Sequence, residues 1–277
     1  MNLFDDTSFE CSKVFTTRYS TSFSKGIMAF DKRFRAPIYA IYGYVRCADE
    51  IVDTFHDHDK RQLMANFRAD TFIALHQGIS LNPILHAFQK VVKDYNIEEE
   101  LINAFLCSME MDLDLTTCTD QSYEKYIYGS AEVVGLMCLR VFCENDADLY
   151  DQLRPMARSL GSAFQKVNFL RDVKADLEER GRTYFPLVDL KHFSEADKQQ
   201  IEANIRQDFD DAYEGIKRLP KGTRLGVYIA YTYYRQLFEK ICRTPANVIL
   251  QKRIRVSDTQ KLALYFKALV QQKLNVI

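Results

Sequence analysis

Gln165-Lys166-Val167-Asn168-Phe169-Leu170-Arg171-Asp172-Val173-Lys174-Ala175-Asp176 is the stretch from which the fold of this chain is read. Its polar residues Gln165, Asn168, Asp172 and Asp176 recur at i, i+3, i+7 and i+11, the spacing of one face of an α-helix. The surrounding segment 159–173 is largely apolar, which predicts a helix inside a bundle. A polar group buried there without a partner costs on the order of 1–3 kcal/mol. The stripe therefore calls for partners or a ligand. An ordinary solvated face is the alternative, but such faces elsewhere in the chain are rich in Lys and Glu and this stripe has neither.

A second acidic pair lies in Arg46-Cys47-Ala48-Asp49-Glu50-Ile51-Val52-Asp53, inside the apolar segment 36–53. Asp49 and Asp53 are four residues apart, as are Asp172 and Asp176, so each pair shares a helix face one turn apart. Like charges at that spacing mildly destabilise a helix unless a cation bridges them. Hard oxygen ligands suit Mg²⁺, which usually takes one or two carboxylates together with substrate phosphates. Arg46 precedes Asp49 by three and falls on the same face, where it can neutralise the carboxylates or grip a phosphate. Taken alone, an aspartate pair of this kind is a weak signal.

Outward from these two segments the chain reads as all-α. The ten glycines and six prolines fall mostly between long periodic stretches, and strand-like alternation is scarce. Helices are predicted over 6–18, 32–57, 60–77, 83–95, 98–116, 121–144, 147–179, 195–217, 221–243 and 257–274. Asn82-Pro83 and Leu219-Pro220 mark helix starts and Thr244-Pro245 a break. No repeat, low-complexity tract or linker divides the chain, so one domain over 1–277 is expected. At 47% hydrophobic and 13% aromatic residues, it has the material for a sizeable core.

The net charge of −1 offers nothing to a polyanion, so nucleic acid is not an expected partner. Seven cysteines, an odd number without a CxxC, read as reduced thiols, and no zinc-type spacing occurs. The five histidines form no cluster and are assigned to the surface by default. The acidic start Met1-Asn2-Leu3-Phe4-Asp5-Asp6 is unlike a signal peptide, and no C-terminal anchor is read at Asn275-Val276-Ile277. A cytoplasmic location is expected, with a peripheral membrane contact for product release as an addition and the oligomeric state left open.

Arg46-x-x-Asp49-x-x-x-Asp53, together with Leu160-Gly161-x-Ala163-x-Gln165-x-x-Asn168-x-x-Arg171-Asp172-x-x-x-Asp176, resembles the squalene/phytoene synthase family from Tyr19 to about Leu264. Tyr19-Ser20-Thr21-Ser22-Phe23 resembles the family's N-terminal diphosphate-contacting segment, with Tyr19 where many members have His. The stretch from Tyr126 and Tyr128 to Gly135, and Gly181-Arg182-x-Tyr184-Phe185-Pro186, resemble further family segments. Departures are Glu50 beside Asp49 and Glu132 where Gly is common.

The resemblance implies an isoprenoid synthase-type bundle with a central cavity, in which two prenyl diphosphates condense head to head through a cyclopropylcarbinyl diphosphate. It implies Mg²⁺, with Mn²⁺ as a substitute, held by Asp49, Asp53, Asn168, Asp172 and Asp176. Substrate contacts fall to Tyr19, Ser20, Thr21, Ser22, Tyr42, Arg46, Gln165, Arg171, Arg182 and Tyr184. Catalytic roles fall to Arg46, Arg171 and Tyr128, the last as an aid to final proton loss. Overall likeness to the bacterial phytoene synthase branch makes two geranylgeranyl diphosphates the leading substrate, with no NADPH. Two farnesyl diphosphates giving dehydrosqualene or squalene are the alternative, and a non-catalytic bundle relative the third reading.

Overall fold

The computed structural model describes residues 2–114, 119–178, 184–186 and 193–274, without the side chains of Thr21, Ser22, Leu177, Glu178 and Lys273. The described residues form helices α1 (Leu3–Tyr19), α2 (Thr21–Met28), α3 (Lys32–Asp53), α4 (Lys60–Gln77), α5 (Pro83–Asp94), α6 (Glu99–Asp112) and α7 (Asp120–Ile127). A π-helical turn, Tyr128–Glu132, joins α7 to α8 (Val133–Cys143). Then follow α9 (Ala147–Glu178), α10 (Glu195–Arg218), α11 (Lys221–Cys242), α12 (Ala246–Ile249) and α13 (Asp258–Lys273). No strand occurs among the described residues, as the periodicity predicts.

Local chemistry sets these boundaries. Asn2, Ser20, Asp59, Asn82, Thr119, Ser194 and Ser257 each cap a helix by accepting a hydrogen bond from a backbone N–H of the first turn. Pro83 opens α5 at a position where its missing N–H costs nothing. Two short helices, α2 and α12, were not among those expected from sequence. Each spans only eight or four residues, too few to show a period.

The core gathers around α3, α8 and α9. Helix α8 packs against both α3 and α9, and so holds the two acidic segments on either side of it. Helix α1 lies along α3 with an unusual inner face of Ser8, Ser12 and Thr16, all fully buried. These hydroxyls donate to carbonyls one turn back, Thr16 to Ser12 at 2.8 Å, so their burial leaves no unmade bond. Helix α1 is pinned to α5 by His86, whose Nε2 lies 2.8 Å from Asp5 Oδ1, while Lys90 sits 3.1 Å from Asp5 Oδ2. His86 is thus buried rather than at the surface, a correction to the default assignment: one carboxylate at the start of the chain supplies its partner.

Two glycines set how closely the central helices approach. A Cβ on Gly129, in the π turn, would lie 2.5 Å from the Ala104 carbonyl oxygen of α6. A Cβ on Gly161 of α9 would lie 2.7 Å from the Ala131 carbonyl oxygen in the same turn. The π turn is therefore clamped between two backbones. The continuous helix Asp120–Cys143 is long and apolar enough to cross a membrane, but more than half of that apolar stretch is buried inside the bundle. Its apolarity is that of a core helix.

Because the atoms met by a new methyl at position 161 are backbone, they cannot swing aside. Gly161→Ala is expected to destabilise by about 1–3 kcal/mol, the usual cost of overpacking. A thermal melt of the variant showing an unchanged midpoint would contradict this account of the contact between the π turn and α9.

Candidate active site

The C-terminal end of α3 carries the first acidic pair. Glu50 is buried, while Asp49 and Asp53 are half-buried. Arg46 ion-pairs with Glu50 and lies 3.8 Å from Asp49 Oδ2. Its guanidinium also stacks over the Tyr19 ring, 4.7 Å from the centroid, so Tyr19 covers the arginine rather than adding a charge. Glu50 therefore absorbs much of the cation that Asp49 would otherwise use.

The electrostatic result is an underneutralised Asp49. Burial pushes its carboxyl up to about 7; Arg46 opposes the shift, while Asp53, Asp112 and Glu50 add to it. Its side chain is still 34% exposed, so it faces a cleft rather than a sealed core. Asp112, at the end of α6, is an additional acid that the motifs did not single out as a ligand. It is buried and accepts hydrogen bonds from Tyr126 Oη at 2.7 Å and Tyr184 Oη at 3.3 Å. Tyr184 stacks on Phe169 of α9, with centroids 4.1 Å apart.

The second wall is α9. Asp176 is buried, and Gln165, Asn168 and Asp172 are half-buried, so the stripe is not a solvated face. Asp172 accepts from Arg171 Nε at 3.0 Å and pairs with Arg253 Nε at 2.7 Å. Arg253 follows α12 and reaches Asp172 only through the tertiary fold. Asn168 Oδ1 accepts from Tyr234 Oη of α11 at 3.2 Å. The opposite side of α9 is spent on structure: Lys166 pairs with Asp208 at 2.7 Å, and Ser162 donates to the same carboxylate at 2.9 Å.

Aromatic rings connect the walls. Phe23 of α2 lies 5.7 Å from Tyr42 and 6.1 Å from Tyr234, and Tyr234 stacks on Phe164 at 3.9 Å. Burial raises the Tyr42 phenol, with a hydrogen bond to Ser20 working against the shift. Burial pushes Tyr234 up to about 12. Both phenols stay protonated near neutrality and serve as hydrogen-bond donors, not bases.

Not every expected residue joins this group. Tyr128 sits under Arg158, 5.3 Å from ring centroid to guanidinium carbon, with Arg158 paired to Glu132 at 2.5 Å. Residues two apart on a helix point about 200° apart. Tyr126 and Tyr128 therefore diverge, and it is Tyr126 that meets the acidic cluster. Glu132, an unexpected acid in the sequence, is accounted for by Arg158. Arg182 lies outside the described residues, and the side chains of Thr21 and Ser22 are not described.

The described carboxylates do not gather in threes tightly enough to hold one ion. Their chemistry still fits a divalent cation. Asp49, Asp53, Asp172 and Asp176 are oxygen donors on two helices, and Asp49 is pushed up to about 7 by burial, with neighbouring negative charge adding to the shift.

Residues 16–260 match the profile of the squalene/phytoene synthase family. The chain belongs to that family. Phytoene synthase of Arthrospira platensis is 28% identical over 88% of this chain and 87% of its own length. The 4,4'-diapophytoene synthase of Staphylococcus haemolyticus is 23% identical over 89% and 91%. A dehydrosqualene synthase solved with a ligand superposes with a TM-score of 0.82 at 19% identity, covering 97% of this chain and 98% of that one. That likeness establishes the isoprenoid synthase-type fold. Membership in the squalene/phytoene synthase family brings the class of chemistry, enzymatic head-to-head prenyl transfer.

Two outcomes follow from this site. Folded Asp49 keeps its proton up to about pH 7, whereas the unfolded group releases it near 3.8. Between those values the folded chain binds more protons, so this group's contribution to stability falls as pH rises through 7. In metal-free buffer at pH 8, Asp49→Asn is expected to melt above the parent chain, with the gap closing toward pH 4. An equal gap at both pH values would refute the shift. Separately, Tyr126→Phe is expected to slow turnover about tenfold or more, and Tyr128→Phe by less than threefold. The reverse ranking in steady-state rates would show that the wrong tyrosine has been placed at the acids.

Proposed function

We propose that this chain condenses two molecules of geranylgeranyl diphosphate to phytoene through a cyclopropylcarbinyl diphosphate. The observation that carries the reading is the cluster of Asp49, Glu50, Asp53 and Asp112, which with burial pushes the Asp49 carboxyl up to about 7, inside the family-matched residues 16–260. Such a cluster is a place for cations and a polyanionic leaving group. The C20 substrate is supported by likeness to phytoene synthases across most of the chain. Likeness to a 4,4'-diapophytoene synthase over a similar span favours, as the second reading, two farnesyl diphosphates.

Asp49 and Asp53 on one wall, with Asn168, Asp172 and Asp176 on the other, would hold Mg²⁺ or Mn²⁺. When bound, the metal screens the diphosphate oxygens and polarises the bond to the departing group. Arg46 and Arg171 are charged donors beside the two acidic pairs, placed to meet the charge that develops as diphosphate leaves. Arg253 shares Asp172 with Arg171 and would turn to the diphosphate once a cation claims that carboxylate. Ser20, and by sequence Thr21, Ser22 and Arg182, would add neutral and charged donors. Gln165 is placed to donate from the same stripe. Phe23, Tyr42, Phe164 and Tyr234 exclude water from an allylic cation and present ring faces to it. Tyr126, bonded to Asp112, is the phenol nearest the acids and the better candidate for the final proton loss.

The test is incubation with C15 and C20 diphosphates and Mg²⁺, with and without NADPH, followed by product analysis. Phytoene from the C20 substrate without NADPH is expected. Turnover only of the C15 substrate would move the assignment to the second reading. Asp172→Asn is expected to lower turnover by roughly 10²–10³ or more, the scale of losing one electrostatic stabiliser. Its circular dichroism should match the parent, and the rise in melting temperature on adding Mg²⁺ with inorganic diphosphate should disappear. Near-normal turnover in this variant would end the two-wall account.

A further inference from the structure

Helix α13 presents its apolar side to solvent. Leu262, Phe266, Val270 and Leu274 are 48%, 56%, 55% and 68% exposed, although all are large and hydrophobic. They follow one another at four-residue steps, each turning about 40° round the helix, so they form one slowly winding stripe. Thr259 and Ala263 are exposed on the same side. The side toward the protein is held by the fully buried Ala268, by Gln271, which accepts from Tyr228 at 3.3 Å, and by Lys261 over the Tyr233 ring at 5.5 Å. Both tyrosines belong to α11, the helix on which α13 packs. An exposed row of this kind marks an interaction surface, because isolated exposed apolar residues are ordinary but contiguous ones are not.

Charge selects the occupant. From Thr259 to Leu274 the chain has Lys261, Lys267 and Lys273 and no acid. The approach to the helix adds the exposed Lys252 and Arg255, while Arg253 is taken by Asp172 and Asp258 is the one acid, in a chain whose net charge is −1. Lys267 is exposed beside the stripe, while Lys261 is turned inward and paired with Asp258 at 3.2 Å. Pairing α13 with its own copy would bring the two Lys267 side chains together with no acid between Thr259 and Leu274 to offset them. An anionic lipid surface meets both features at once: the apolar stripe enters the acyl boundary and the exposed Lys252, Arg255 and Lys267 reach headgroups. We propose that α13 is an interfacial helix that seats this protein on anionic bilayers. Its inner edge supports the placement. Lys261, Leu264 and Tyr265 line a small cleft together with Phe23 and Tyr234, two rings of the candidate site, so the seated helix lies between the bilayer and that site.

The test is vesicle co-sedimentation of the full chain at near-physiological salt, without substrate, so that it stands apart from prenyl transfer. Vesicles of phosphatidylglycerol mixed with phosphatidylcholine are compared with phosphatidylcholine alone. Binding to the anionic vesicles is expected, weaker at high salt, and reduced at least tenfold in the double variant Phe266→Gln with Val270→Gln. Circular dichroism checks that this variant stays folded, and Lys267→Glu, a surface change, should weaken binding in the same direction. Equal binding of parent and variants, or no binding of the parent to either vesicle, would overturn the proposal. So would a concentration-dependent dimer in sedimentation velocity that the double variant abolishes, which would assign the stripe to a second copy.

Discussion

Crowded negative charge at the end of α3 is the constraint on which the rest of this protein is arranged. Asp49, Asp53 and Glu50 share one helix end, and α6 brings Asp112 close enough to raise Asp49 further. Arg46 lies in this group and pairs chiefly with Glu50, at longer range with Asp49. Left to itself such a cluster opposes folding, since burial and like charge both disfavour the ionised state. The surrounding bundle must be stable enough to hold it. That is the role of the close backbone contacts at Gly129 and Gly161, the self-satisfied hydroxyls of α1, and the Asp5–His86 clasp that fastens α1 to α5.

The two acidic walls are treated differently. On α9, Asp172 is claimed by two guanidiniums, Arg171 and Arg253, and Asn168 by the Tyr234 hydroxyl. On α3, Asp49 has Arg46 only at 3.8 Å, because Glu50 takes the closer contact. The two walls therefore differ in how fully guanidiniums cover their carboxylates. One helix can build this wall because its faces are segregated: Gln165, Asn168, Asp172 and Asp176 look one way, while Ser162 and Lys166 bind Asp208 of α10.

Much of this was legible in the residues. The ten predicted segments cover eleven of the thirteen described helices, since apolar period and capping residues are local properties of the chain. The stripe on α9 and the pair on α3 were likewise legible, since residues four apart must share a face of any helix. The hidden parts are those set by distant neighbours. His86 reads as a surface residue until Asp5, eighty-one positions earlier, is seen beside it. Arg253 reads as a solvated base until α12 and the turn after it deliver it to Asp172. Helix α2 is too short to show a period, yet it carries Phe23 into the centre of the aromatic group.

Which tyrosine meets the acids illustrates the division most directly. Local sequence requires that Tyr126 and Tyr128 point to different sides, because two residues on a helix turn through about 200°. It cannot say which side faces Asp112, since that depends on how the helix is rotated against α6 and α9. The rotation is set by contacts at Gly129 and Gly161, made between backbones far apart in the chain. By itself, then, the sequence determined an all-α chain with two carboxylate pairs on helix faces and a resemblance to one enzyme family. Only the tertiary structure decided which groups neutralise those carboxylates and which do not, because charge balance in a buried site is a sum over neighbours that the chain brings together only on folding.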